Sequence, residues 1–283
     1  MGAAAGSRLP SPLVPYRAIA TDLDGTLLRS DGSVSSRTRA AVDAAEDAGW
    51  LVVIATGRPP RWIPPVVEQL GERGLVVCAN GASVYDPARG ELVVRNDLSP
   101  EVAGSLVDEL QAALPDATLG FEQGMRFVAD TTIERADPRV LRQWLEAGLQ
   151  VGPIREFLTE GVTKLIVRLP ESSPPGSAAR VQRLVGDRAL VTHSTNETFL
   201  ELSRADVHKA VTVERLLEGS GVAPSEVVAF GDMPNDRELV EWAGWGVAMG
   251  NGHPELRAVA DEVTATNDDD GVAVVVERLL TAP

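Results

Sequence analysis

Two aspartates one residue apart, Asp22 and Asp24, stand where the apolar run Ala18-Ile19-Ala20 gives way to Gly25-Thr26. The run reads as a buried β-strand, and acids two positions apart in extended chain share a side. Two carboxylates so placed repel each other. A divalent metal, a shared proton or an arginine between them would remove the repulsion. Gly25 lets the chain turn sharply, and Thr26 can hydrogen-bond locally. An aspartate with an ordinary pKa of roughly 3.9 is already ionised at neutral pH.

Three further segments supply what a phosphate-transferring aspartate needs. Val52 to Ile54 lead into Ala55-Thr56-Gly57-Arg58, where the Thr56 hydroxyl and backbone N–H groups beside Gly57 can meet phosphoryl oxygens. Lys209 opens a helical pattern running to about Glu218. Val227 to Phe230 form a third buried run, ending in Gly231-Asp232-Met233-Pro234-Asn235-Asp236 at a helix mouth whose N–H groups favour anions. Pro234 suits a first helical turn, where its missing N–H costs nothing.

These segments together resemble the four motifs of the haloacid dehalogenase superfamily, and more narrowly its Cof-type, subclass II sugar-phosphate phosphatases. The resemblance runs from about Tyr16 to Leu280. It takes in Cys78-Ala79-Asn80-Gly81-Ala82, Phe199-Leu200-Glu201-Leu202, Gly246 through Asn251, Ala260 through Thr264, and Asn267 with Gly271-Val272-Ala273. It departs from the family pattern at Ala210 and Gly252, neither of which replaces a reacting group.

The resemblance implies a role for each position. Asp22 would be the nucleophile that forms an aspartyl-phosphate. Asp24 would protonate the leaving alkoxide and then deprotonate the hydrolytic water. Thr56 and Lys209 would stabilise the phosphoryl oxygens, with Gly57 and Asn235 also binding substrate. Mg²⁺ would be held by Asp22, Asp232 and the backbone carbonyl of Asp24, with Asp236 supporting from behind. Arg58 is open between a surface ion pair and a substrate contact. The implied activity is metal-dependent hydrolysis of small phosphorylated metabolites. A phosphomutase of the same superfamily and a non-catalytic phosphometabolite-binding protein are the alternatives.

Composition narrows the partners. A formal charge of −15 on 283 residues argues against nucleic acid and acidic membrane surfaces. An anionic substrate must then be drawn by local features. The single cysteine, Cys78, excludes an intrachain disulfide and fits a reducing cytoplasm. No apolar stretch approaches the ~20 residues of a membrane span. Residues 1–15 lack the basic and apolar regions of a secretory signal and read as a disordered tail. Nothing in the motifs specifies an oligomeric state.

Alternating strand and helix patterns predict an α/β fold, a doubly wound, mostly parallel Rossmann-like sheet with an inserted α+β cap. Core strands are expected near 17–22, 51–55, 75–79, 226–231, 244–248 and 262–264. Core helices are expected near 36–48, 60–70, 206–219, 234–242, 254–260 and 269–281. The core would comprise residues 16–83 and 202–283. The cap, 84–201, would hold strands near 91–95, 117–121, 125–128, 163–169, 189–193 and 197–201, with helices near 99–113, 138–148 and 175–185. Every motif residue falls at a strand's carboxyl end or a helix start, where open α/β sheets bind ligands. Candidate substrate contacts from the cap are Glu122, Arg126, Arg155 and Lys164, with exposed charge or a salt bridge the alternative for each. Trp242 and Trp245 read as packing residues.

Overall fold

The computed structural model describes residues 16–135, 141–142, 145, 148–192 and 198–281. The expected tail over 1–15, and most of the helix expected over 138–148, lie outside the described residues. The described residues form two sheets.

The first is eight-stranded. Its middle is β1 (Ala18–Thr21), between β2 (Leu51–Ala55) and β12 (Val227–Gly231) and parallel to both. Beyond β2 lie β3 (Leu75–Cys78), β4 (Ser83–Asp86) and β5 (Glu91–Arg95), and beyond β12 lie β13 (Trp245–Ala248) and β14 (Glu262–Val263). Strand alternation sends Ile19, Ile54, Val228 and Phe230 to one face. There they pack with Val42 of α1 (Ser36–Asp47) and Val272 and Val276 of α8 (Gly271–Thr281). Ala18, Ala20, Val53 and Ala55 point the other way, against Val213 and Leu217 of α5 (Lys209–Glu218) and Leu239 of α6 (Arg237–Trp242). A sheet with helices on both faces buries all four β1 residues, so β1 is apolar throughout its first three positions and ends in a threonine.

The second sheet runs β10 (Leu190–Thr192), β11 (Phe199–Ser203), β9 (Lys164–Arg168), β6 (Thr118–Gln123), β7 (Arg126–Ala129), β8 (Leu149–Val151). Only the β7–β8 pair is parallel. Phe121, Leu165, Val167, Leu200 and Leu202 face α3 (Pro100–Ala113) and α4 (Ser177–Val185). The alternate residues Glu122, Lys164, Ile166 and Glu201 face away from these helices and are also buried.

Several expectations need correction. The strand over 91–95, assigned to the cap, pairs antiparallel with β4 and so belongs to the first sheet. A tight turn after β4 makes this hairpin cheaper than a crossing to the other sheet. Conversely, residues 202 and 203 continue β11 of the second sheet. The helix expected from 206 starts at Lys209, after His208 in extended conformation. The stretch 60–70 divides into a 3-10 turn over Pro60–Trp62 and α2 (Pro64–Leu70), because prolines at 64 and 65 cannot donate backbone bonds to the preceding turn. The helix expected over 254–260 is the short α7 (Pro254–Arg257).

Among the described residues no helix is long and apolar enough to cross a membrane. Cys78 is a free, buried thiol whose proton affinity burial pushes up, which makes it an inert core residue. Trp245 is buried with its indole N–H donated to Glu262, and Trp242 donates to Glu214. Both pack rather than face a ligand.

Candidate active site

Strand β1 ends at Thr21, one residue before the first aspartate, so strand alternation does not reach Asp24. Asp22 is buried at 5% exposure, while the turn carries Asp24 outward to a half-exposed position. Both line one cavity of ≈ 1340 Å³ between the two sheets. Of the ways to relieve their repulsion, two different side chains act. Lys209 donates to Asp22 Oδ1 at 2.5 Å, and the Arg58 guanidinium grips Asp24 through Nε at 2.8 Å and Nη2 at 2.5 Å. The ambiguity over Arg58 resolves to this two-point contact, in which planar guanidinium matches planar carboxylate.

Lys209 also reaches Asp236 Oδ1 at 2.5 Å, and its side chain is 1% exposed. Burial alone would lower its proton affinity, but Asp22 and Asp236 reverse that and hold it protonated. Asp236 turns its second oxygen to the N–H groups of Asp232 and Met233, both at 3.1 Å. Burial raises the pKa of Asp22 well above the ordinary range, with Lys209 opposing the rise. Asp232 is pushed up to about 6 by burial and by the charge of Asp236. Asp22, Asp232 and Asp236 each offer an oxygen within 4.8 Å of the others. This oxygen-only cluster carries more negative charge than Lys209 offsets, which suits a hard divalent cation.

The surrounding loops fix this geometry. Thr26 donates to Asp232 Oδ1 at 3.2 Å. Asn251 donates to the Gly25 carbonyl at 2.8 Å, and buried Asn267 donates to that of Leu28 at 2.9 Å. Gly25 has φ +76°, and a Cβ there would run into an Asp232 carboxylate oxygen. Gly25→Ala is therefore expected to cost about 2 kcal/mol or more in urea unfolding. Gly32→Ala is the control: with φ +80° and open space, it should show the backbone cost alone. Equal losses at the two positions would contradict the close approach.

Thr56 and Gly57 lie at the end of β2, and the loop after β3 is tied to them. Asn80 N–H donates to the Thr56 carbonyl and Ala79 N–H to that of Arg58. Ala79 and Asn80 both have left-handed φ, +50° and +55°, a strained pair that ligand-contacting loops retain. The reward is that Asn80 Oδ1 accepts from Asn235 at 3.0 Å, fixing Asn235 at the cavity wall.

The candidates from the cap divide. Glu122 and Lys164 line the cavity, whereas Arg155 pairs with Asp108 on α3 and Arg126 bonds Gln123 and Gln150, both away from it. Sequence reasoning missed Arg61 as a site residue and gave Asn80, Asn251 and Glu201 no role; the salt bridge it held as the alternative for Glu122 and Lys164 is present, and both still line the cavity. One signal was available: charged residues alternating with apolar ones in β6, β9 and β11 mark one side of that sheet as a polar wall.

Comparison with known proteins follows from this geometry. The profile of the haloacid dehalogenase-like hydrolases matches residues 19–276. The chain belongs to this haloacid dehalogenase-like family. A 5-amino-6-(5-phospho-D-ribitylamino)uracil phosphatase, YitU of Bacillus subtilis, is similar at 31% identity over 92% of this chain and 95% of its own. A phosphoglycolate phosphatase of Natronomonas pharaonis is also 31% identical, over 92% and 96%. The crystal structure of a haloacid dehalogenase-like hydrolase from Bacteroides thetaiotaomicron superposes with TM-score 0.78 at 28% identity, covering 93% of this chain and 99% of that one. This haloacid dehalogenase-like chain is thus a phosphoric monoester hydrolase by family, with the α/β core and cap its relatives share.

Proposed function

We propose that this hydrolase uses Mg²⁺ and Asp22 to dephosphorylate small metabolites, sugar phosphates among them. The observation that carries the reading is the buried convergence of Asp22, Lys209, Asp232 and Asp236 at one end of the cavity. In this reading Asp22, Asp232 and the Asp24 carbonyl hold the metal, and Asp236 remains on Lys209. Magnesium there would draw charge from the phosphoryl oxygens and relieve their repulsion of Asp22.

Asp22 Oδ attacks phosphorus and the ester P–O bond breaks; Asp24, protonated and released from the Arg58 fork it makes in the resting site, gives its proton to the departing alkoxide. Water then attacks the aspartyl-phosphate, its proton passes to Asp24, and inorganic phosphate leaves with Asp22 restored. Thr56, Gly57, Lys209 and Asn235 hold the phosphoryl oxygens. A cap inserted between two core segments, able to close over the site and exclude water, belongs to the same proposal. So does a cytoplasmic location. Of the two leaving groups that the relatives' names print, an uncharged ribitylamino-uracil and a carboxylate-bearing glycolate, this reading adopts the uncharged kind.

The test is a panel of phosphorylated metabolites with Mg²⁺, following free phosphate and isomer formation together. Phosphate release is expected, silenced by EDTA and restored by Mg²⁺. Isomer without phosphate would make the protein a mutase, and turnover indifferent to chelation would remove the metal assignment.

A further inference from the structure

Every lysine and arginine lining the cavity, among the described residues, is already bound to a carboxylate. Arg58 holds Asp24, Lys209 holds Asp22, Arg61 holds Glu122 and Lys164 holds Glu201. The last two pairs stand at the cap side, away from the aspartate cluster. Arg61 meets Glu122 through a fork, Nε at 3.0 Å and Nη2 at 2.8 Å, and the side chains are 10% and 4% exposed. Its guanidinium is also 4.7 Å from the ring centroids of both Trp62 and Phe127, so it is held on several sides. Lys164 reaches Glu201 at 2.6 Å and the Gly57 carbonyl at 3.1 Å.

In all, seven carboxylates face four lysine or arginine side chains around the cavity. One divalent cation would still leave the lining negative. The reacting phosphoryl group has the metal, Lys209 and the loop N–H groups to meet it. A second anion on the cap wall would find no unpaired lysine or arginine among the described residues; His208 and His253, which also line the cavity, stand at the starts of the core helices at Lys209 and Pro254 and not on that wall. To be seated against the cap wall it must displace Glu122 from Arg61 or Glu201 from Lys164, stranding a buried carboxylate. A hydroxyl makes no such demand. It can donate to the free lone pairs of Glu122 or Glu201 and leave both pairs intact. The cavity is also larger than the 300–1,000 Å³ or so of common small-molecule pockets, so bulk does not restrict the leaving group.

We propose that the cap wall selects phosphomonoesters with an uncharged, hydroxyl-rich leaving group and rejects those bearing a second phosphate or a carboxylate. Glu122 and Glu201 determine this specificity, with Arg61 and Lys164 positioning them. The proposal rests on the phosphatase reading above.

Matched pairs test it: glucose 6-phosphate against 6-phosphogluconate, and glycerol 1-phosphate against 3-phosphoglycerate. The uncharged member should have a kcat/KM about 100-fold or more above its partner, mostly through KM. Glu122→Gln loosens the hold on Arg61 and should shrink the ratio to about 10-fold by lowering KM for the anionic member. Glu201→Gln serves as the second variant should the first misfold by circular dichroism. Calorimetric binding of the same pairs to the Asp22→Asn protein with Mg²⁺ supplies a readout without turnover. Equal turnover within each pair overturns the proposal and leaves the phosphatase reading standing. Absent turnover with tighter binding of the uncharged members sinks the phosphatase reading and keeps the selection. Equal binding overturns the selection.

Discussion

Asp22→Asn protein is expected to release phosphate at least about 10⁴-fold more slowly than the native chain. An amide nitrogen and carbonyl cannot form the acyl-phosphate, and no second carboxylate is placed to take over. Asp236 is turned to Lys209 and to two backbone N–H groups, while Asp24 is gripped by Arg58. The fold should persist. Asp22 is buried at the end of β1, and burial already disfavours its charge, so a neutral isostere removes a desolvation penalty as it removes an ion-pair partner. Lys209 keeps Asp236. Thermal unfolding should therefore move little while turnover vanishes. Mass spectrometry must exclude deamidation back to aspartate. Native-like turnover in Asp22→Asn protein verified in this way would end the covalent mechanism.

Lys209→Met should damage both activity and stability. Lys209 lies between Asp22 and Asp236, and its loss leaves those carboxylates and Asp232 crowded together and largely buried. Removing one partner of a buried ion pair costs about 3–5 kcal/mol. Without the lysine, the folded-state pKa values of Asp22 and Asp232, already raised by burial, rise further above their unfolded values. The folded protein then binds more protons than the unfolded chain from about pH 4 upward, so stability falls as pH rises through that window. Urea unfolding should show the larger deficit at pH 7.5 and a smaller one at pH 5, with Mg²⁺ recovering part of the difference. Lys209→Arg is not expected to rescue, because the lysine side chain is 1% exposed and leaves no room for a larger planar group. A Met variant as stable as the native chain at pH 7.5 would show that the three charges do not depend on one another.

The legible features were those that local chemistry dictates. Apolar runs ending in Asp, Thr-Gly and Gly-Asp announced β1, β2 and β12, because a strand buried on both faces must be apolar along its length. The 91–95 strand was misplaced because Glu-Leu-Val-Val-Arg, three apolar residues between two charged ones, suits the edge of either sheet. Glu122 and Lys164 were sound candidates for the cavity, but Arg155 and Arg126 had the same sequence credentials and point elsewhere. A charged residue in a strand declares that one face is polar; it does not say what that face meets.

From its order of residues alone, the chain determined the acids able to gather around a cation and the turns at the ends of parallel strands. Those follow from side-chain chemistry and from the period of a strand, which are local. Tertiary structure decided the pairing of charges. Lys209 meets an aspartate 187 positions away, Arg61 a glutamate 61 away, and Arg58 an aspartate 34 away. Ion pairing depends on distance and on exclusion of water, and only the folded chain sets either of them.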